Sequence, residues 1–214
     1  MLKFIAMAAL AALSCSTSFA APGGYNRVNG DYNALYGSTA NGINGNGNLL
    51  GQSNYNHVGG DYNKLIQSNG NVLYGSGNQM HGSNGNFNVG NANSYFSSNG
   101  NGNFGNGNLF AGANHNTNFG NNNAFVSSNG NFNHGDANKF INSNGNYNNG
   151  YSNTFVSSNG NAVVGEHNVL GGANGNRIHG GGNGIFNSHG NSVTGRGNLI
   201  VNWWSLSTHT FFIL

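Results

Sequence analysis

The chain has 214 residues, enough for one ordinary domain, but 38 are Gly and only 5% are charged, which excludes an ordinary globular composition. Apart from Lys3, five basic residues (Arg27, Lys64, Lys139, Arg177, Arg196) face four acidic ones (Asp31, Asp61, Asp136, Glu166), a net charge of +1. Such a balance offers no electrostatic footprint for nucleic acid or an anionic membrane.

Residues 1–20 have the anatomy of a secretory signal peptide: Lys3, an apolar run from Phe4 to Leu13, and small residues ending in Ser18-Phe19-Ala20 before Ala21. Cleavage there predicts a secreted, extracellular chain. Leu13-Ser14-Cys15 outlines a lipoprotein box, but the residue three before the cysteine is Ala12, not Leu, so plain cleavage is the preferred reading. Cys15 is the single cysteine and would leave with the leader, so neither a disulfide nor thiolate chemistry is expected of the exported chain.

From Gly23 onward the sequence is periodic. Ser-Asn-Gly-Asn begins at Ser68, Ser83, Ser98, Ser128, Ser143 and Ser158, a spacing of 15 or its multiple, and extending that register gives twelve gapless units within residues 21–202. The fourth residue of every unit is Asn (Asn26, Asn41, Asn56, Asn71, Asn86, Asn101 and onward), and the eleventh is also Asn (Asn33, Asn48, Asn63, Asn78, Asn93, Asn108 and onward). The eighth is always Gly, and the thirteenth is always large and apolar, from Leu35 to Ile200. A unit this short and this rich in Gly and Asn cannot hold a helical hairpin.

Two short period-two segments separated by turns predict two strands per coil of an all-β, parallel β-solenoid. At about 4.8 Å per coil, twelve coils make a rod roughly 58 Å long. Invariant Asn on successive coils is expected to stack into amide ladders, and invariant Gly to supply the tight corners. The charges fall only at the fifth, ninth and twelfth positions. None occupies the first, fourth, sixth, eighth, eleventh or thirteenth, which are therefore read as the inward set.

The sixth position divides the rod. It is aliphatic in the first four units (Val28, Ile43, Val58, Leu73) and the last three (Val163, Ile178, Val193), but Asn in the five between (Asn88, Asn103, Asn118, Asn133, Asn148). Those five units carry aromatics at the thirteenth position, from Tyr95 to Phe155. One reading is volume compensation across the core, with Asn facing a ring. The other is a local slip that turns Phe87, Phe104, Phe119, Phe132 and Tyr147 inward. Without the slip these five form an exposed stripe, either tolerated surface aromatics or a candidate contact surface.

Residues 203–214 (WWSLSTHTFFIL) leave the repeat, carry no Asp, Glu, Lys or Arg and are too few to span a bilayer. Their expected role is to cover the open edge of the last coil; the alternative is that they mediate end-to-end pairing through it or dock on a wall or membrane.

The segments NRVNGDYNALYG, NHVGGDYNKLIQ and NVLYGSGNQMHG resemble the repeat of grass ice-recrystallisation-inhibition proteins, built on N-x-V-x-G and N-x-V-x-x-G half-coils. That resemblance covers Gly23 to Asn202 and implies a β-roll with inward Asn ladders and, as an activity, ice binding. Ice binding needs a flat, regular outer face, whereas the outward fifth and seventh positions run Arg27 and Asn29, His57 and Gly59, Phe132 and His134. The G-x-x-N-x-apolar element is also similar to part of the curlin repeat of functional amyloid, which has a longer period and Gln positions missing here.

Catalysis requires ionisable groups that converge, and the four acids are scattered along one outer edge on nonadjacent coils. No two histidines share a position on adjacent coils, and no calcium-repeat pattern occurs, so neither cofactor nor metal is expected. Three functions stay open at this point. The first is a secreted, non-enzymatic structural or surface protein of a wall, coat, matrix or self-assembling fibre. The others are an ice-binding protein and a binder of carbohydrate or a receptor through the aromatic stripe.

Overall fold

The computed structural model describes residues 25–201 and the backbone of 210–212. The expected leader, residues 1–20, and the remainder of the expected C-terminal cap, residues 203–214, lie outside the described residues. Counting coils from Gly23, every coil contributes one three-residue strand at positions five to seven and another at positions twelve to fourteen, as in Arg27–Asn29 and Ala34–Tyr36. The chain is an all-β parallel solenoid of twelve coils.

The strands stack into two parallel sheets, the first of thirteen strands and the second of twelve. Each residue pairs with the one fifteen further on, as in Val28 with Ile43 and Phe110 with Phe125. The thirteenth strand of the first sheet is Thr210–Phe212, which pairs in parallel with Ser192–Thr194. A piece of the tail thus covers one sheet edge of the last coil, where an open row of N–H and C=O groups would otherwise invite another strand.

Three-residue strands alternate out, in, out, so each buries only its central side chain. Those central residues are the sixth and thirteenth positions, and from coil 2 onward all of them are buried. From coil 2 onward the fourth and eleventh Asn are buried beside them, with Ser or Ala at the first position. Among the described residues no charged side chain is buried. The sequence-based inward set therefore stands except at the eighth position, a half-exposed corner from coil 2 on.

The Gly at that corner is required by backbone rather than by packing. Gly105 has φ +151°, and a Cβ there would overlap the carbonyl of Gly120 on the next coil. The third, tenth and fifteenth positions also turn with positive φ but admit other residues, such as Tyr55, Tyr62 and Gln67. Their milder left-handed geometry is a cost that side chains can bear.

The buried amides satisfy one another along the rod. Asn41 Nδ2 donates to Asn26 Oδ1 at 3.1 Å and to the Ser53 carbonyl at 2.8 Å, and the Asn41 backbone N–H donates to the same Oδ1 at 2.9 Å. The eleventh position repeats this scheme, with Asn48 N–H and Nδ2 both 3.0 Å from Asn33 Oδ1 and Nδ2 2.9 Å from the Gly60 carbonyl. Each Asn supplies two donors and one acceptor, and both sides find partners because the repeat never changes residue here. Among the described residues, one buried side-chain polar atom lacks a partner: Asn198 Oδ1, on the last coil, where the ladder ends.

Candidate contact surface

The core of the middle coils determines what lies outside it. Asn88, Asn103, Asn118, Asn133 and Asn148 are fully buried. They form a third internal ladder, each Nδ2 lying 2.7–2.8 Å from the Oδ1 one coil back. Across the core the rings of Tyr95, Phe110, Phe125, Phe140 and Phe155 stack with centroids 4.6–5.0 Å apart and planes within 6° of parallel. The Tyr95 hydroxyl donates to Asn88 Oδ1 at 2.9 Å and gives the first rung its second donor. Burial holds the Tyr95 phenol well above its ordinary pKa, and the Asn103 amide draws it back only in part.

This is the compensated core, and the slip does not occur. An Asn turned outward would forfeit its ladder, and an aromatic turned inward would meet another ring across a core already filled.

With no slip, Phe87, Phe104, Phe119, Phe132 and Tyr147 all stand on the outer face of the first sheet, each 37–45% exposed. They occupy two columns: Phe87, Phe132 and Tyr147 at the fifth position, Phe104 and Phe119 at the seventh. The rings nevertheless meet from coil to coil. Successive centroid distances are 5.5, 5.0, 5.9 and 5.3 Å, with Phe104–Phe119 and Phe132–Tyr147 stacked at 7° and 3°.

The contacts continue beyond the residues that the sequence singled out. Tyr74 lies 6.5 Å from Phe87, and His57 lies 5.5 Å from Tyr74. One unbroken line of rings therefore runs from coil 3 to coil 9. These distances fall in the range of favourable aromatic pairs, each contributing about 0.5–1.5 kcal/mol beyond burial. Beside each ring the other column holds a smaller residue, such as Val72, Val89, Gly102 or Thr117.

The outer face of the second sheet is different. Its fourteenth-position column is mainly aliphatic in the middle (Ala111, Val126, Ile141, Val156), and Lys64 and Lys139 project from the neighbouring twelfth position. On the first sheet the only charges at strand positions are Arg27 and Arg177, outside the ring line.

The corners carry outer ladders that sequence reading did not single out. At the second position, backbone N–H of Asn84 donates to Asn99 Oδ1 at 2.9 Å, and its neighbours repeat the contact. At the ninth, Asn121 N–H donates to Asp136 Oδ1 at 2.6 Å, so this acid caps a rung at the rim of the shallow groove that His134 and Tyr151 also line. Glu166 meets Arg196 at 3.4 Å across Gly181, an exposed pair of little energetic weight. Among the described residues, no three His, Cys, Asp or Glu side chains gather to hold a metal ion. Among the described residues there is no helix long and apolar enough to cross a membrane.

No protein-family model matches the chain, and no curated protein matches it. Among solved structures, the polySia-specific acetyltransferase NeuO aligns at 12% identity and TM-score 0.14, over 82% of this chain and 78% of that one. The UDP-N-acetylglucosamine O-acyltransferase LpxA of Moraxella catarrhalis aligns at 10% identity and TM-score 0.15, over 82% of this chain and 65% of that one. Likenesses this slight transfer neither detailed geometry nor chemistry.

Proposed function

We propose that this chain is a secreted, non-enzymatic structural or surface protein, a rod built into a wall, coat, matrix or self-assembled fibre. The observation that carries the reading is the pairing of an internally satisfied scaffold with a continuous line of exposed rings on one outer face. The buried polar groups are spent on ladders, the acids sit singly at corners, and the ring line presents a continuous uncharged surface. An exposed apolar surface of that continuity serves contact rather than chemistry.

The test is fractionation of the producing cells, together with sedimentation of the purified chain against wall or matrix material and thioflavin fluorescence at increasing concentration. Retention in the pelleted material or a fibrillar response supports the reading. A chain that stays in the supernatant, binds no matrix and gives no thioflavin signal at any concentration contradicts it.

Carbohydrate or receptor capture by the same stripe is the second reading, motivated by the exposed rings themselves. The close ring-to-ring stacking weighs against it, because sugar rings pack on aromatic faces and these faces are largely spent on each other. Phe104→Ser combined with Phe119→Ser separates the cases, since loss of measured glycan binding would favour capture. Ice binding, implied by the repeat's resemblance, draws no support from columns in which rings, Gly, Val and His alternate irregularly. Normal coarsening of ice in micromolar protein would remove it.

A further inference from the structure

We infer that the ring-bearing face of the first sheet is a self-complementary interface, on which a second copy of this chain docks in parallel about a two-fold axis along the rod. The inference rests on the self-associating form of the structural reading above. It follows from the arrangement of the two outer columns.

A two-fold along the rod brings the fifth position of each coil over the seventh position of the same coil in the partner. Each coil from 4 to 9 carries one benzene ring, in one column or the other, with a smaller residue in the second column. The operation therefore seats every ring over a smaller side chain: Phe87 over Val89, Phe104 over Gly102, Phe119 over Thr117. Large over small through coils 4 to 9, with Phe132 over the imidazole of His134 the closest match in size, suits two sheets packed about 10 Å apart.

The opposite orientation fails on the same residues. An antiparallel two-fold centred on the ring line, at coil 6, sets each column over itself. Phe104 then meets Phe104 of the other copy. Arg27 on coil 1 comes over Arg177 on coil 11, five coils to either side of that centre. Like charges directly opposed are destabilising, whereas the parallel arrangement sets these arginines over Asn29 and His179.

The face has the size for a reversible dimer. Twelve coils at about 4.8 Å and strands about 10 Å wide give roughly 580 Å² per copy, so about 1,150 Å² in all. That is just above the roughly 1,000 Å² expected of a biological interface.

The test is sedimentation equilibrium of the purified chain over a wide concentration range, with Gly102→Arg and Ala124→Lys as variants. Arg already occupies the fifth position in coils 1 and 11, and a Cβ at Gly102 meets nothing within 4 Å, so Gly102→Arg fits the rod. Ala124→Lys places the same charge at the second sheet's outer twelfth position, where Lys139 stands one coil on. The expected result is a monomer–dimer equilibrium that Gly102→Arg weakens by about tenfold or more and Ala124→Lys leaves unchanged.

Orientation is read by spin labels at Asn29→Cys and, separately, Thr194→Cys in a Cys15→Ser background. The parallel dimer gives a short intermolecular separation at both sites. A monomer at all concentrations, a Gly102→Arg dimer as tight as the parent, or a separation near the rod length at either site overturns the inference. A strictly monomeric chain that still sediments with wall or matrix would overturn the dimer and leave the structural reading intact. A dimer meeting these criteria, with neither matrix retention nor fibres, would do the reverse.

Discussion

The end coils and the middle coils share one backbone and fill it by different chemistry. At the ends, aliphatic pairs such as Val58 with Leu65 and Ile178 with Ile185 make a core that needs no polar partner. In the middle, an amide ladder faces a ring stack, and each Asn is tolerable because at least one neighbour a coil away is also Asn. The ends are therefore modular, coil by coil, whereas the middle is cooperative along the axis. The visible consequence is outside: the line of exposed rings covers the middle coils, and its flanks reach the aliphatic zone only through His57 and Tyr74.

The comparison is tested most strongly by removing one ring from the stack. Phe125→Ala is expected to cost about 3–5 kcal/mol, at the upper end for a core truncation, because the cavity also unstacks Phe110 and Phe140. Leu65→Ala, an end-coil truncation, is expected to fall lower in the 2–5 kcal/mol range. Native-state hydrogen exchange is the suitable readout, since a twelve-coil array need not unfold in one step. Equal losses at the two sites would erase the distinction.

A smaller effect is expected from Asn118→Val, which turns one middle coil into an end-type coil. The Asn103 and Asn133 amides each lose a ladder partner, though Asn108 Nδ2 and the Gly135 carbonyl still serve them. About 1–3 kcal/mol should be lost, with exchange speeding in the coils on both sides. The reciprocal Val58→Asn buries an amide among Ile43 and Leu73 with no ladder to join, and should cost a similar amount confined to its own coil. A Val58→Asn effect that spreads along the rod would contradict the modular end.

The smallest effect is that of Tyr95→Phe, which deletes one hydrogen bond to Asn88 at a cost of about 1 kcal/mol near neutral pH. Its sharper signature is alkaline. Because the folded phenol holds its proton more tightly than the unfolded one, its contribution is complete below the unfolded pKa of about 10 and is lost as pH rises past it. Melting followed at increasing alkaline pH should show the parent losing stability faster than Tyr95→Phe. Parallel decline in both would place the alkaline sensitivity elsewhere.

Much of this was legible in the sequence because the repeat is strict. The invariant Asn41 and Asn48 predicted ladders, the exclusion of charge from certain positions predicted the inward set, and the two-strand coil followed from unit length. The middle zone was only half legible. A one-residue change of facing keeps the same composition, so the choice between compensation and slip needed the hydrogen bonds of Asn103 and Asn118. The eighth Gly read as inward because no charge falls there, and absence of charge alone cannot separate a packed residue from a strained corner. Tyr74 and His57 escaped notice because their contacts cross between columns, which depends on side-chain reach. The ninth-position ladder was hidden by its variety, since Asn, Asp and Ser can each accept the same backbone N–H.

The central claim, that sixth-position Asn side chains form a sealed ladder inside the middle coils, is tested most directly by the solvent exchange of their Nδ2 protons in solution NMR. Asn103, Asn118 and Asn133 should exchange far more slowly than the exposed ladder amides of Asn106 and Asn129, because both their protons are held by Oδ1 and carbonyl acceptors out of water. Exchange of Asn118 Nδ2 at the rate of Asn129 would contradict the account and return the slipped arrangement.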